Sequence, residues 1–118
     1  MKKKHAFSGC HQGCPVEATL EVIGGKWKGI ILYHLMAARA PIRFNALQRE
    51  LPQVTRRMLT RQLREMETDG IILRTAYPEV PPRVEYSLTA KGHTLAPIIN
   101  ALRDWGEKHA LRPDGTRA

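Results

Sequence analysis

The stretch VTRRMLTRQLR, Val54 to Arg64, places four arginines and no acidic residue on one segment with a regular apolar repeat. At about 100° per helical residue, Leu59, Leu63 and Met66 share one face, while Arg57, Thr60, Arg61 and Arg64 gather on the opposite one. One side can pack on a core while the other meets an anionic partner. Thr55 stands where an N-cap belongs, its hydroxyl placed to accept from an unpaired backbone N–H, and Pro52 suits the turn before it. An exposed helix N-terminus also favours an anion. Most charge runs are solvated faces. This one has a single sign, begins at a cap and follows a second short amphipathic segment, Arg43 to Leu51, across a tight turn. The pattern predicts a helix that reads nucleic acid, with Arg56, Arg57, Thr60, Arg61 and Arg64 as its contact residues and Gln53 and Thr55 at its start.

Toward the N-terminus, Pro15 suits the first turn of a helix in which Val16, Leu20 and Ile23 repeat until Gly24-Gly25. From Lys26 a second helix carries Trp27, Ile30, Ile31, Tyr33, His34 and Leu35, too apolar all round for the surface, and fades between Ala37 and Pro41. Phe44, Leu47 and Leu51 mark a third helix whose exposed side carries Arg43, Gln48, Arg49 and Glu50. Residues 1–13 lack either periodicity and read as a flexible arm.

Past the arginine-rich helix, Asp69-Gly70 is a helix stop, with glycine supplying the left-handed conformation. The period then changes. Ile71 to Tyr77 and Arg83 to Leu88 are rich in β-branched and aromatic residues, and Val84, Tyr86 and Leu88 alternate as in a half-buried strand. Pro78, Pro81 and Pro82 make the connection a stiff, extended loop carrying Glu79 and Arg83. Thr89 caps a last helix with the stripe Leu95, Ile98, Ile99, Leu102 and Trp105, and residues 110–118 read as a disordered tail. The expectation is a mainly helical α+β fold over residues 14–109, a winged helix-turn-helix with a two-stranded β wing and terminal helices that pair two copies.

Lysine plus arginine number 19 against 11 acidic residues, a net charge of +8 that favours polyanionic partners. No apolar run approaches signal-peptide length or the roughly 18 residues of a membrane span. The expected setting is cytoplasmic, with double-stranded DNA as partner and no membrane. Catalysis has little support. Gly24-Gly25 lacks the strand context of a phosphate loop, no nucleophile and base constellation is evident, and no cofactor is implied. RNA is disfavoured because most of the few aromatic residues sit at core positions.

Four stretches carry a family resemblance: CPVEATLEVIGGKWKGIILYHL (Cys14 to Leu35), RFNALQREL (Arg43 to Leu51), LTRQLREMETDGII (Leu59 to Ile72) and YPEVPPRVEYSLTAKG (Tyr77 to Gly92). They resemble the HxlR-type winged helix-turn-helix transcriptional regulators of bacteria, over roughly residues 14 to 107. The IGGKW and VPPRVEYSLT signatures in this order are specific. The resemblance implies a homodimer with paired terminal helices, a recognition helix at Thr55 to Glu67 and a wing at Pro78 to Val84. It also implies that Cys14 matches a position at which several relatives sense electrophiles, quinones or oxidants, whereas other relatives activate genes of one-carbon or formaldehyde metabolism.

Elementary chemistry adds to this reading. Arg57 and Arg61, one turn apart, can address guanine edges or phosphates. Arg64 is expected on phosphate, and Arg83 at the wing base is a candidate for phosphate or minor-groove contact, or a solvated loop arginine. Val16, Leu20, Leu95, Ile98, Ile99, Leu102 and Trp105 offer more apolar surface than one small domain buries, which predicts a homodimer and a pseudo-palindromic operator with half-sites about 10 bp, or a multiple, apart. Cys14 would sit at a helix N-terminus with lysines and His11 nearby, which favours thiolate, and Cys10 is placed to resolve an oxidised Cys14. Alternatively Cys14 is a small buried apolar residue. His5, Cys10, His11 and Cys14 do not follow a closed zinc spacing, so no metal site is expected. The competing function is a redox-responsive protein-interaction module without specific DNA binding.

Overall fold

The computed structural model describes residues 13–117, so residues 1–12 of the N-terminal arm, Cys10 and two more of the four residues weighed as metal ligands among them, fall outside it. In order, the elements are α1 (Pro15–Ile23), α2 (Lys28–Ala38), β1 (Ile42–Arg43), α3 (Phe44–Glu50), α4 (Arg56–Thr68), β2 (Ile72–Tyr77), β3 (Arg83–Leu88), α5 (Ala90–His93) and α6 (Ala96–Trp105), followed by a π-helical turn over Gly106–Ala110. No helix among the described residues is long and apolar enough to cross a membrane.

Local chemistry accounts for most boundaries. Thr55 Oγ1 accepts from Met58 N at 3.1 Å and opens α4. Gly70, at φ +75°, follows its C-cap Asp69. The tight turn between α3 and α4 is held by Gln48 Nε2, which donates to the Val54 carbonyl at 2.6 Å, and by Val54 N donating to Leu51 O at 3.1 Å. Leu51 and Val54 are buried there, so the angle between the two helices is fixed by packing as well as by polar contacts.

The core gathers Ile31, Leu32 and Leu35 of α2, Leu47 of α3, Leu59, Leu63 and Met66 of α4, Ile71 and Ile72 entering the sheet, and Tyr86 of β3. Each buried aliphatic side chain contributes roughly 1.5–3 kcal/mol, so α4 is anchored through three of them while its other face stays open.

Four features differ from the sequence expectation. The sheet has three strands, in the order β1-β3-β2, because Ile42 and Arg43 pair with Tyr86 and Glu85 on the far side of the hairpin. Two residues are too few to show alternation, and Arg43 lies on this strand rather than on α3. The last helix is broken in two: Thr89 caps α5, accepting from Gly92 N at 3.0 Å, and Pro97 opens α6, since proline cannot donate to the carbonyl four residues back. Residues 110–117 close into a turn with Leu111 bridged to Arg117, the Asp114 carboxylate accepting from Thr116 N at 2.9 Å and Gly115 at φ +87°. Finally, Leu95 and Ile99 point into the chain's own core, so the outward part of the last helix is narrower than its full apolar stripe.

One joint ties the end of α4 to the later helices. Thr89 Oγ1 lies 2.7 Å from the Gly70 carbonyl, Thr89 N donates to Ile71 O at 3.1 Å, and Lys91 Nζ donates to Asp69 O at 3.0 Å. Gly92 is packed so closely that a Cβ there would stand 2.2 Å from the Ile71 carbonyl oxygen. The exit of α4 and the entrance to α5 are therefore one rigid unit.

Candidate nucleic-acid interface

The open face of α4 divides two grooves. One, of about 1150 Å³, lies between α4 and the α1–α2 junction and is lined by Arg57 and Arg61 with Glu21, Lys28, Glu65 and Asp69. The other, of about 870 Å³, runs between α4, α3 and the hairpin loop and is lined by Arg43, Arg49, Arg74 and Arg83 with Glu67 and Glu79. Arg56, Thr60 and Arg64 line both and form the crest between them. The arrangement concentrates positive charge along one helix and the loop beside it, which is what a polyanion backbone requires.

The expected contact residues are not equivalent. Arg57 and Arg64 are exposed, with no ion pair or hydrogen bond recorded for their side chains among the described residues. Arg61 is 72% exposed and touches Glu65 through a single 3.4 Å contact. Arg56 is directed by α3: Nη1 donates to Asn45 Oδ1 at 3.1 Å and the guanidinium lies 4.6 Å from the centre of the Phe44 ring, a cation–π arrangement. Thr60 turns its hydroxyl back to the Arg56 carbonyl at 2.8 Å, and the Thr55 hydroxyl is taken up by its cap. Gln53 is exposed in the turn before α4.

Arg83 stands apart from the α4 arginines. Its Nη2 meets Glu79 at 3.0 Å, its Nε lies 3.6 Å from Glu85, and the guanidinium stacks 4.0 Å from the Tyr77 ring centre. The structure thus brings Arg83 to the groove with its charge already compensated. At the tip of the loop Val80 is wholly exposed between the flanking prolines.

Sequence reasoning did not assign Arg43, Arg49 and Arg74 to this surface. Arg43 and Arg49 were legible as exposed positions of the third helical segment, but that they line the groove beside the hairpin depends on the third strand. Nor did it pair Lys28 with Glu65, which lie 2.9 Å apart from elements distant in sequence. The Lys28 ammonium, and Arg61 more weakly, hold the Glu65 carboxyl below the usual glutamate range.

Cys14 is the N-cap residue of α1 and its carbonyl accepts from Ala18 N at 2.9 Å. It is 2% exposed and lies outside the main core cluster, so helix-terminal position and burial coincide at one residue. The apolar residues Val16 and Leu20 of α1 and Ile98, Leu102 and Trp105 of α6 are exposed, Trp105 to 63%.

A short helix, a fixed turn, a basic helix and a β hairpin with an arginine-lined groove define a winged helix-turn-helix transcriptional regulator. The chain belongs to the HxlR-like helix-turn-helix family, whose model matches residues 22–114. It is 56% identical over 107 residues to the uncharacterized HTH-type transcriptional regulator YdeP of Bacillus subtilis, covering 91% of this chain and 82% of that one. Its structure is similar to that of the redox regulator HypR in its oxidized form, with a TM-score of 0.76 and 56% identity over 81% of this chain and 97% of the other. It is also similar to the reduced form of the transcriptional regulator YodB from B. subtilis, with a TM-score of 0.69 and 32% identity over 81% and 93% of the two chains. The family is one of DNA-binding regulators and not of enzymes.

Proposed function

We propose that the protein works in the cytoplasm as a homodimer that binds a pseudo-palindromic operator, reading DNA through Arg57 and Arg61 and gripping phosphates through Arg56 and Arg64, with thiol chemistry at Cys14 as the signal. The observation that carries the reading is the open arginine face of α4, anchored from behind by Leu59, Leu63 and Met66. A rigid helix with cations on one side only is suited to a major groove. Dimerisation is supported by the exposed Val16, Leu20, Ile98, Leu102 and Trp105, a surface that a monomer would leave wet. The redox arm is supported by the helix N-terminal position of Cys14 and by the similarity to a redox regulator. Because Cys14 is buried, an oxidant would have to gain access to it before reacting.

Fluorescence anisotropy on DNA from upstream of the protein's own gene, against unrelated DNA, with reduced and diamide-treated protein, tests this. Selective binding that changes on oxidation is expected. Selective binding indifferent to oxidation, with no adduct at Cys14 by mass spectrometry, removes the thiol signal and keeps the regulator. A dimer that shows no salt-sensitive binding to any DNA supports the interaction-module alternative instead.

A further inference from the structure

Lys28 holds together three parts of the molecule. Its side chain is only 13% exposed, its Nζ meets Glu65 Oε1 of α4 at 2.9 Å, and the same Nζ lies 3.4 Å from the Glu21 carbonyl in the last turn of α1. That carbonyl is among those left unpaired at a helix C-terminus, where the helix dipole favours a cation, and α1 has no basic residue of its own in that turn. The other oxygen of Glu65 faces Arg61 Nε at 3.4 Å. The arginine contact is the weaker of the two: it is long, involves one N–H, is more exposed, and has the cation N-terminal to the acid, the less favourable order at this helical spacing.

We propose that Lys28 is a positioning residue for Arg61: by occupying the Glu65 carboxylate from the α1–α2 junction, it leaves the Arg61 guanidinium available to DNA. Without the lysine, Glu65 keeps its charge and has Arg61 as its neighbour one turn away. The favoured contact is then a two-pronged pair that turns the fork along the helix and away from the groove. Because the ammonium is shared with the last turn of α1, a displacement of α1 changes the partner of Glu65 and so the presentation of Arg61. This inference rests on the reading of α4 as the DNA-contacting face.

The test is a double-mutant cycle of K28Q and E65Q, measured by operator affinity and its salt dependence and then repeated with R61A. K28Q is expected to weaken operator binding about tenfold with little change in the salt slope, the loss of one base-edge arginine contact. Lys28→Arg is expected to retain binding, and E65Q is expected to restore K28Q far more than it improves the unsubstituted protein. In the R61A background that coupling should vanish. Additive effects of K28Q and E65Q, or a coupling that persists without Arg61, would overturn the proposal, the second by showing that the pair acts on the fold. If R61A leaves operator binding unchanged while the protein stays folded, the reading of α4 beneath the proposal falls with it.

Discussion

The arginine-rich helix and the hairpin bring cations to two adjoining grooves in opposite electrostatic states. On α4, Arg57 and Arg64 carry no recorded partner among the described residues, and Arg61 has one long contact. In the hairpin, Arg83 is stacked on Tyr77 and flanked by Glu79 and Glu85. A guanidinium that already has carboxylates loses much of what a phosphate would gain it, since the new contact must replace the old ones. Arginine count along a surface is therefore a poor measure of its affinity for DNA. What matters is which charges are still uncompensated, and here that separates the open face of α4 from a hairpin arginine already held by its neighbours.

The largest effect that would break this contrast is on α4. Replacing Arg57 and Arg61 together with alanine should lower specific operator affinity about a hundredfold or more, as two base-edge contacts at roughly 1–3 kcal/mol each require. The dimer should survive, which sedimentation would show. Next comes a matched pair. R64A should weaken all DNA sequences about equally and reduce the salt slope by about one, whereas R83A should leave the salt slope almost unchanged. The Arg83 substitution should act through the loop instead, raising hydrogen exchange between Tyr77 and Arg83. If R83A lowers the slope as much as R64A does, the wing arginine meets phosphate despite its carboxylates and the contrast fails. T55A comes lower, costing about 1 kcal/mol of stability by removing the cap of α4, with thermal unfolding as the readout.

How much of this was legible from sequence follows from the range of each interaction. The Thr55 cap, the stripe Leu59, Leu63 and Met66, and the Gly70 stop are local, and all three lie where their spacing put them. The hairpin strands were legible from alternation, whereas β1 was not, because its two residues acquire a strand identity only by meeting Tyr86 and Glu85. The last helix shows a subtler limit. Leu95, Ile98, Ile99, Leu102 and Trp105 form one stripe in sequence, but Leu95 and Ile99 are buried while Trp105 and Leu102 are exposed. Periodicity finds an apolar stripe and cannot say how much of it the same chain will cover. The partners of Arg83 illustrate the other side: Glu79 and Glu85 are close in sequence, but their effect depends on a loop that folds the first of them back over the strand.

The smallest predicted effect concerns Lys28 and Glu65, the ion pair that backs the open face of α4. The lysine holds the Glu65 carboxyl below its ordinary value of 4.5, with Arg61 acting in the same direction. A carboxyl whose folded value is depressed stabilises the folded state while it is ionised, and that stabilisation shrinks once the unfolded chain's carboxyl begins to take up protons. Its contribution is therefore complete above the ordinary value and is lost as pH falls through the lowered folded value. Neutral and alkaline conditions leave it untouched. Thermal unfolding of the unsubstituted protein and of E65Q, compared from neutral pH down into the acid range, should show a stability difference that is constant near neutrality and narrows below the ordinary glutamate range. The group is exposed, so the narrowing should be slight and should weaken with added salt. A difference that instead grows on acidification would mean that Glu65 is stabilised in its protonated form, and that Lys28 does not govern the charge facing Arg61.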